Sequence, residues 1–136
     1  MILFQFMALF FWGNVYGSPN PTLQLSIGNI TPGKGNLMIA VHNKDNFLKS
    51  RLFEKSVPAT YTTMQLNIEL PVGQYAVAVY QDLNQNKHLD TNVFGIPSEP
   101  YGFSNNARPK WRAPTFEETR FDFYKNQSLG IKLEKW

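Results

Sequence analysis

The stretch TLQLSI sets Leu23, Leu25 and Ile27 against Gln24 and Ser26, the period-two alternation of a strand buried on one face. NLMIAVHN repeats it with Leu37, Ile39 and Val41 after a Pro32-Gly33-Lys34-Gly35 turn. His42 falls opposite Ile39 and Val41 and is expected at the surface. In TYTTMQLNIEL, Thr60, Thr62, Met64, Leu66, Ile68 and Leu70 face one way, and Tyr61, Gln65, Asn67 and Glu69 the other, before a Pro71-Val72-Gly73 turn. YAVAVY is apolar on both faces, so 75–80 is predicted to be a central strand covered on both sides. RFDFY, burying Phe121 and Phe123, and LGIKLE, burying Leu129, Ile131 and Leu133, complete six strands. With short turns and no amphipathic helix, the pattern predicts an all-β fold, a single antiparallel β-sandwich.

Two segments break the rhythm. In 44–58, Phe47, Leu48, Leu52 and Phe53 are expected to cap one end of the sandwich, through a helical turn begun by Asp45. The other is 81–114, far beyond the ~15 residues at which structureless loops become uncommon in compact domains. It holds Phe94, Ile96, Tyr101, Phe103 and Trp111, too many large apolar groups for disorder, so an ordered long loop is expected.

At 136 residues, 43% hydrophobic and 15% aromatic, the chain has material for one core. The first twenty residues carry no charge, and 2–12 run apolar, too short for a membrane span of roughly 20 residues but suited to a signal-peptide core. Gly17, with Val15 before it, offers a cleavage site, which predicts a signal peptide at 1–17, a β-sandwich domain at 18–136 and no stable membrane span after cleavage. An uncleaved anchor and a buried first strand are the rivals, since no Lys or Arg follows Met1. The chain has no Cys, so no disulfide supports it, and a periplasmic or secreted location is expected. Its net charge of +3 is scattered. Lys44, Lys49, Arg51 and Lys55 are interleaved with Asp45 and Glu54, and Arg108, Lys110 and Arg112 surround Trp111, so no nucleic-acid partner is expected.

The polar chemistry concentrates in DLNQNKHLD. Asp82, Asn84, Asn86 and Asp90 stand at the first, third, fifth and ninth positions of a calcium loop, with the His88 carbonyl at the seventh. Short oxygen-bearing side chains on alternate residues of a tight turn converge on one hard cation. Lys87 occupies the position where such a turn wants Gly, Val93 the place of the bidentate Glu, and Glu99 is the available substitute. The rival reading is a series of Asx turns with no ion.

The run GQYAVAVYQDLNQNKHLDTNVFGIPSEPYGFSNNA, 73–107, resembles a family of exported bacterial domains of unknown function. The shared motifs are G-x-Y-A-V, D-x-N-x-N-x-x-L-D-T-N and G-I-P-x-E-x-Y-G-F-S-N-N, with looser likeness over the flanking strands and APTFEETRF. The resemblance implies a transthyretin-like or carboxypeptidase-regulatory-like sandwich, immunoglobulin-like in class, and no established activity. Gln81 and Lys87 stand where the family pattern leads us to expect His and Gly.

A catalytic role is not expected. A nucleophile with a His base needs His42 or His88 beside a serine such as Ser98 or Ser104, and neither His sits in a recognisable motif. A carboxylate-based hydrolase built on Asp82, Asp90 and Glu99 is the weaker alternative. The expectation is a non-enzymatic binding or accessory module whose loop presents Tyr101, Asn105, Asn106, Arg108 and Trp111 to a saccharide or peptide. A structural envelope protein pairing through sheet edges is the rival class.

Overall fold

The computed structural model describes residues 19–136, so the expected leader and cleavage site lie outside the described residues. Eight strands follow one another: β1 (Thr22–Gly28), β2 (Asn36–His42), β3 (Phe53–Pro58), β4 (Met64–Glu69), β5 (Gly73–Asp82), β6 (Tyr101–Phe103), β7 (Phe121–Phe123) and β8 (Gln127–Lys132). One sheet has the order β4-β1-β8, and the other the order β3-β2-β5-β6 with β7 also on β5. The two short strands share one edge of β5, β7 against Gly73, Gln74 and Tyr75 and β6 against Ala78, Val79 and Tyr80. The fold is thus an all-β sandwich, antiparallel apart from the parallel pairing of β1 with β8.

The expected alternation accounts for the core. Leu23, Leu25 and Ile27 of β1, Leu37, Ile39 and Val41 of β2, and Val77 and Val79 of β5 meet between the sheets with Phe123 and Ile131. Phe121 and Leu129, expected in the core, pack against it half-buried. The strand expected over 60–70 begins only at Met64, because the preceding threonines form a bend whose Thr62 carbonyl accepts from Ile30 N–H at 3.0 Å.

Three expectations are corrected. His42 is buried, with Nδ1 2.7 Å from the Ser50 carbonyl and its ring edge-on to Phe47 at 5.7 Å. It faces away from the core, but that second face is covered. The segment 44–58 contributes β3 to a sheet edge, and Leu48 and Leu52 are exposed rather than buried caps. The turn preceding β3 is opened by Asn43, not Asp45: Asn43 Oδ1 accepts from Asp45 N–H and Asn46 N–H, and Asn46 Oδ1 accepts from Asn43 N–H. A four-residue helix, α1 (Phe116–Thr119), also appears, opened by a capping box of Thr115 and Glu118.

The two-sided apolar character of β5 positions the site. Tyr75, Val77 and Val79 enter the core, while Ala76, Ala78 and Tyr80 join Met38, Ala40 and His42 on the outer face. Phe47, in edge contact with Phe116 of α1 at 5.8 Å, covers one part of that face. The remainder floors a hollow that opens onto the groove described below.

Candidate functional site: the long loop and the groove beneath it

β5 runs out of the sheet at Asp82, which is fully buried. Its Oδ1 accepts from Asn86 N–H at 3.2 Å and its Oδ2 from Lys87 N–H at 2.8 Å, which folds the chain back at once. Asn84 Oδ1 accepts from Asn86 N–H and Asn86 Oδ1 from His88 N–H, two Asx turns in succession. Asp90 receives the Asn84 amide on Oδ2 at 2.6 Å and the Asn86 amide on Oδ1 at 2.7 Å. Glu99 is only 4% exposed. It closes the turn by accepting Leu83 N–H at 3.0 Å and Asp90 N–H at 3.1 Å, one on each carboxylate oxygen. Asp82, Asn84, Asn86, Asp90 and Glu99 are therefore one hydrogen-bonded unit, in which His88 takes part through its backbone. Among the described residues no group of three or more His, Cys, Asp or Glu side chains stands in metal-holding proximity.

Lys87 and Gln81 show how the two departures from the expected motifs are accommodated. Lys87 has φ 65, the left-handed backbone that glycine adopts without strain, and keeps it while donating its N–H to Asp82. Gln81, with no exposed surface, reaches under the loop: its Nε2 donates to the Thr31 and Lys34 carbonyls at 2.7 and 2.6 Å, and its Oε1 accepts from Thr31 N–H. Asp82 and Gln81 thereby fasten opposite sides of the strand end.

Held in this way, the loop leaves a groove of about 630 Å³ between Leu89, Phe94 and Ile96 on one side and Phe103, Trp111 and Trp136 on the other. It continues past Leu48, Leu89, Tyr101 and Phe103 into a hollow of about 200 Å³ over the outer face of β2 and β5. The wall is apolar, and the arginines that border it have partners. Arg108 lies over the Tyr101 ring, 4.2 Å from its centroid, donates to the Tyr101 carbonyl at 3.1 Å and pairs with Glu134 at 3.3 Å. Arg112 forms a two-point bridge to Glu118 at 2.8 and 2.7 Å. That bridge, with the Thr115 N–H second, lowers the Glu118 carboxyl to about 2 and raises Arg112.

Tyr80 looks onto the smaller hollow, and burial, followed by the charge of Asp82, raises its phenol.

The chain matches the model of a family described as "Uncharacterized protein conserved in bacteria (DUF2141)" over residues 25–131. It belongs to that family. No curated protein and no solved structure matches it. The family match runs from β1 to β8 and so takes in both sheets, the whole loop and most of the groove.

Within this family member the expected ligand residues divide. Tyr101, Arg108 and Trp111 line the groove. Asn105 and Asn106 are outside it: the Asn105 amide donates to the Glu118 and Arg120 carbonyls, tying the turn at 104–106 to α1, and Asn106 Oδ1 accepts from Lys132 N–H of β8. Ser104 is buried with its hydroxyl engaged by Val77 N–H and the Thr119 carbonyl, and Ser98 donates to the Asp90 carbonyl. Among the groove residues, Leu89 and Trp136 were not singled out in the sequence and Leu48 was expected as an end cap; for Phe94 and Ile96 the available signal was the excess of apolar groups in a polar loop.

Proposed function

We propose that the protein is an exported, non-enzymatic binding or accessory domain, periplasmic or secreted after cleavage near Ser18, that takes its ligand into the groove under the long loop. The observation that carries this reading is the 630 Å³ apolar groove, which lies within the size range of small-ligand sites. Of the two ligand classes considered, a peptide with aromatic or aliphatic side chains fits better than a saccharide. The groove offers stacking surfaces, while the guanidinium groups of Arg108 and Arg112 are engaged by Glu134 and Glu118. Sheet-edge pairing is less supported, since β3 carries Glu54 and Lys55 outward and ends on Pro58, which discourages strand addition. A transthyretin-like relationship accords with the sandwich.

Calorimetric titration with apolar dodecapeptides, muropeptide fragments and chito-oligosaccharides tests the reading. The expected result is binding of a peptide, weakened at least tenfold (about 1.4 kcal/mol) by Trp111→Ala with unchanged melting, because the indole is exposed and makes no core contact. Absence of binding by every probe at millimolar concentration, or affinity unaffected by that substitution, overturns it.

Calcium is proposed as the cofactor that stiffens the loop. Asn84 and Asn86 present amide nitrogens to Asp90, and reorientation of the two amides, which gives up their Oδ1 bonds to Asn86 N–H and His88 N–H, would direct oxygens there instead. With so few charges the site belongs to the weak class, with a dissociation constant of about 0.1 to 1 mM. At ten times that concentration mass action contributes roughly 1.4 kcal/mol, a rise of about 3 to 6 °C in Tm. Melting in chelator against millimolar calcium checks it, with Asp90→Ala expected to abolish the shift; coincident melting of the parent in both conditions leaves Asx turns alone.

A further inference from the structure

We propose that the aromatic rim of the groove docks this domain on an anionic lipid bilayer. Large apolar side chains standing together in water mark interaction surfaces. Here Phe94 is 83% exposed and Trp111 82%, and Trp136, 45% exposed, lies edge-on to Trp111 with ring centroids 5.6 Å apart. Phe94, Trp111 and Trp136 border the same groove, so they stand on one side of the molecule. Trp111 is held there at φ 68, a left-handed backbone that costs a bulky residue on the order of 1–2 kcal/mol, and the contacts of the core do not explain it because the indole is outside.

The charges around the rim name the occupant. Lys110 precedes Trp111 and Lys135 precedes Trp136. Both are exposed, and neither is in an ion pair among the described residues. Beside the rim, Glu118 and Glu134 are already neutralised by Arg112 and Arg108, and Asp90, next to Leu89, is engaged by the Asn84 and Asn86 amides. Indoles settle at the headgroup level of a bilayer, and adjacent ammonium groups add attraction to anionic lipid. The docking is peripheral; among the described residues no helix is long and apolar enough to cross a membrane. It does not require the groove to hold a ligand.

The test follows Trp111 alone, in the full chain carrying Trp12→Phe and Trp136→Phe, so that vesicle binding through the apolar leader does not register. On phosphatidylglycerol vesicles at low salt the Trp111 emission shifts to the blue, and brominated acyl chains quench it. Lys110→Ser and Lys135→Ser each lower the partition coefficient about fivefold, and raised salt does the same. Phe94→Ser reduces the quenching while melting is unchanged. Emission that stays constant while the chain sediments with vesicles overturns the proposal, as does an equal response to neutral phosphatidylcholine. A response to dissolved short-chain phosphatidylglycerol but not to bilayers also overturns it, since the groove then takes single lipid molecules. None of these failures bears on the peptide titration above, which uses soluble probes.

Discussion

Gly35→Ala is expected to lower the melting temperature by roughly 10–20 °C, a loss of about 3–4 kcal/mol. Gly35 has φ +63, and a Cβ there would overlap the Asp82 carbonyl oxygen, with the Asp82 carbonyl carbon at 2.7 Å and the Leu83 Cα at 2.9 Å. Those atoms are backbone at the end of a central strand, so relief requires moving the strand end itself. Gly33 is the internal control. It has φ +76 but nothing within 4 Å of its Cβ position, so Gly33→Ala carries only the left-handed penalty of about 1 kcal/mol. Circular-dichroism melting of the two variants separates backbone conformation from close approach, and equal Tm values would mean that the turn does not rest against Asp82. The same displacement should loosen the loop, because the carboxylate that folds it back belongs to the residue Gly35 abuts.

The strands that were legible are those whose burial follows strict alternation. TLQLSI and NLMIAVHN became β1 and β2, with Leu23, Leu25, Ile27, Leu37, Ile39 and Val41 having no exposed surface. β3 was not legible because only Phe53 and Val57 are large and apolar among its six residues, as suits an edge with one face on the core and one in water. β6 is a three-residue strand whose Gly102 packs against β8: a Cβ there would lie 2.7 Å from Ile131 Cγ2. Such a contact is set by tertiary approach, which a periodicity cannot encode. His42 was misplaced for a related reason. Alternation assigns it correctly to the outer face, but whether an outer face is wet depends on distant segments, here Phe47 and the Ser50 carbonyl.

The loop divides along the same line. Its order was readable from its excess of large apolar groups, and the turns of Asn84 and Asn86, the rival to the ion reading, were readable because Asx turns are local. Glu99 was named as an ion ligand or a catalytic carboxylate, and its bonds to Leu83 N–H and Asp90 N–H, which join two distant parts of the loop, had no signal in the spacing. The groove required that Phe94, Trp111 and Trp136 converge from well-separated stretches of chain, and no spacing predicts that. What the sequence did carry was an excess of large apolar side chains in a segment too polar to be core.

Val77→Asp should prevent stable folding at neutral pH. Val77 has no exposed surface, points between the sheets and lies on β5, which pairs with β2 on one side and with β6 and β7 on the other. Its N–H is engaged by the Ser104 hydroxyl at 2.9 Å, so the strand has little freedom to rotate the new carboxylate out. An unpaired charge there costs several kcal/mol, on the order of the whole stability of a small domain, ~5–15 kcal/mol. The pH dependence identifies the cause. Burial raises the carboxyl's folded-state pKa above its unfolded value near 4, so the folded state binds the extra proton and the penalty shrinks as pH falls toward about 4. A cavity or packing defect would show no such recovery. Val93→Asp, at a residue 94% exposed, should melt within about 1 °C of the parent. If Val77→Asp were soluble at pH 7 and melted beside Val93→Asp, β5 would not be the central strand, and the smaller hollow on its outer face would lose its floor.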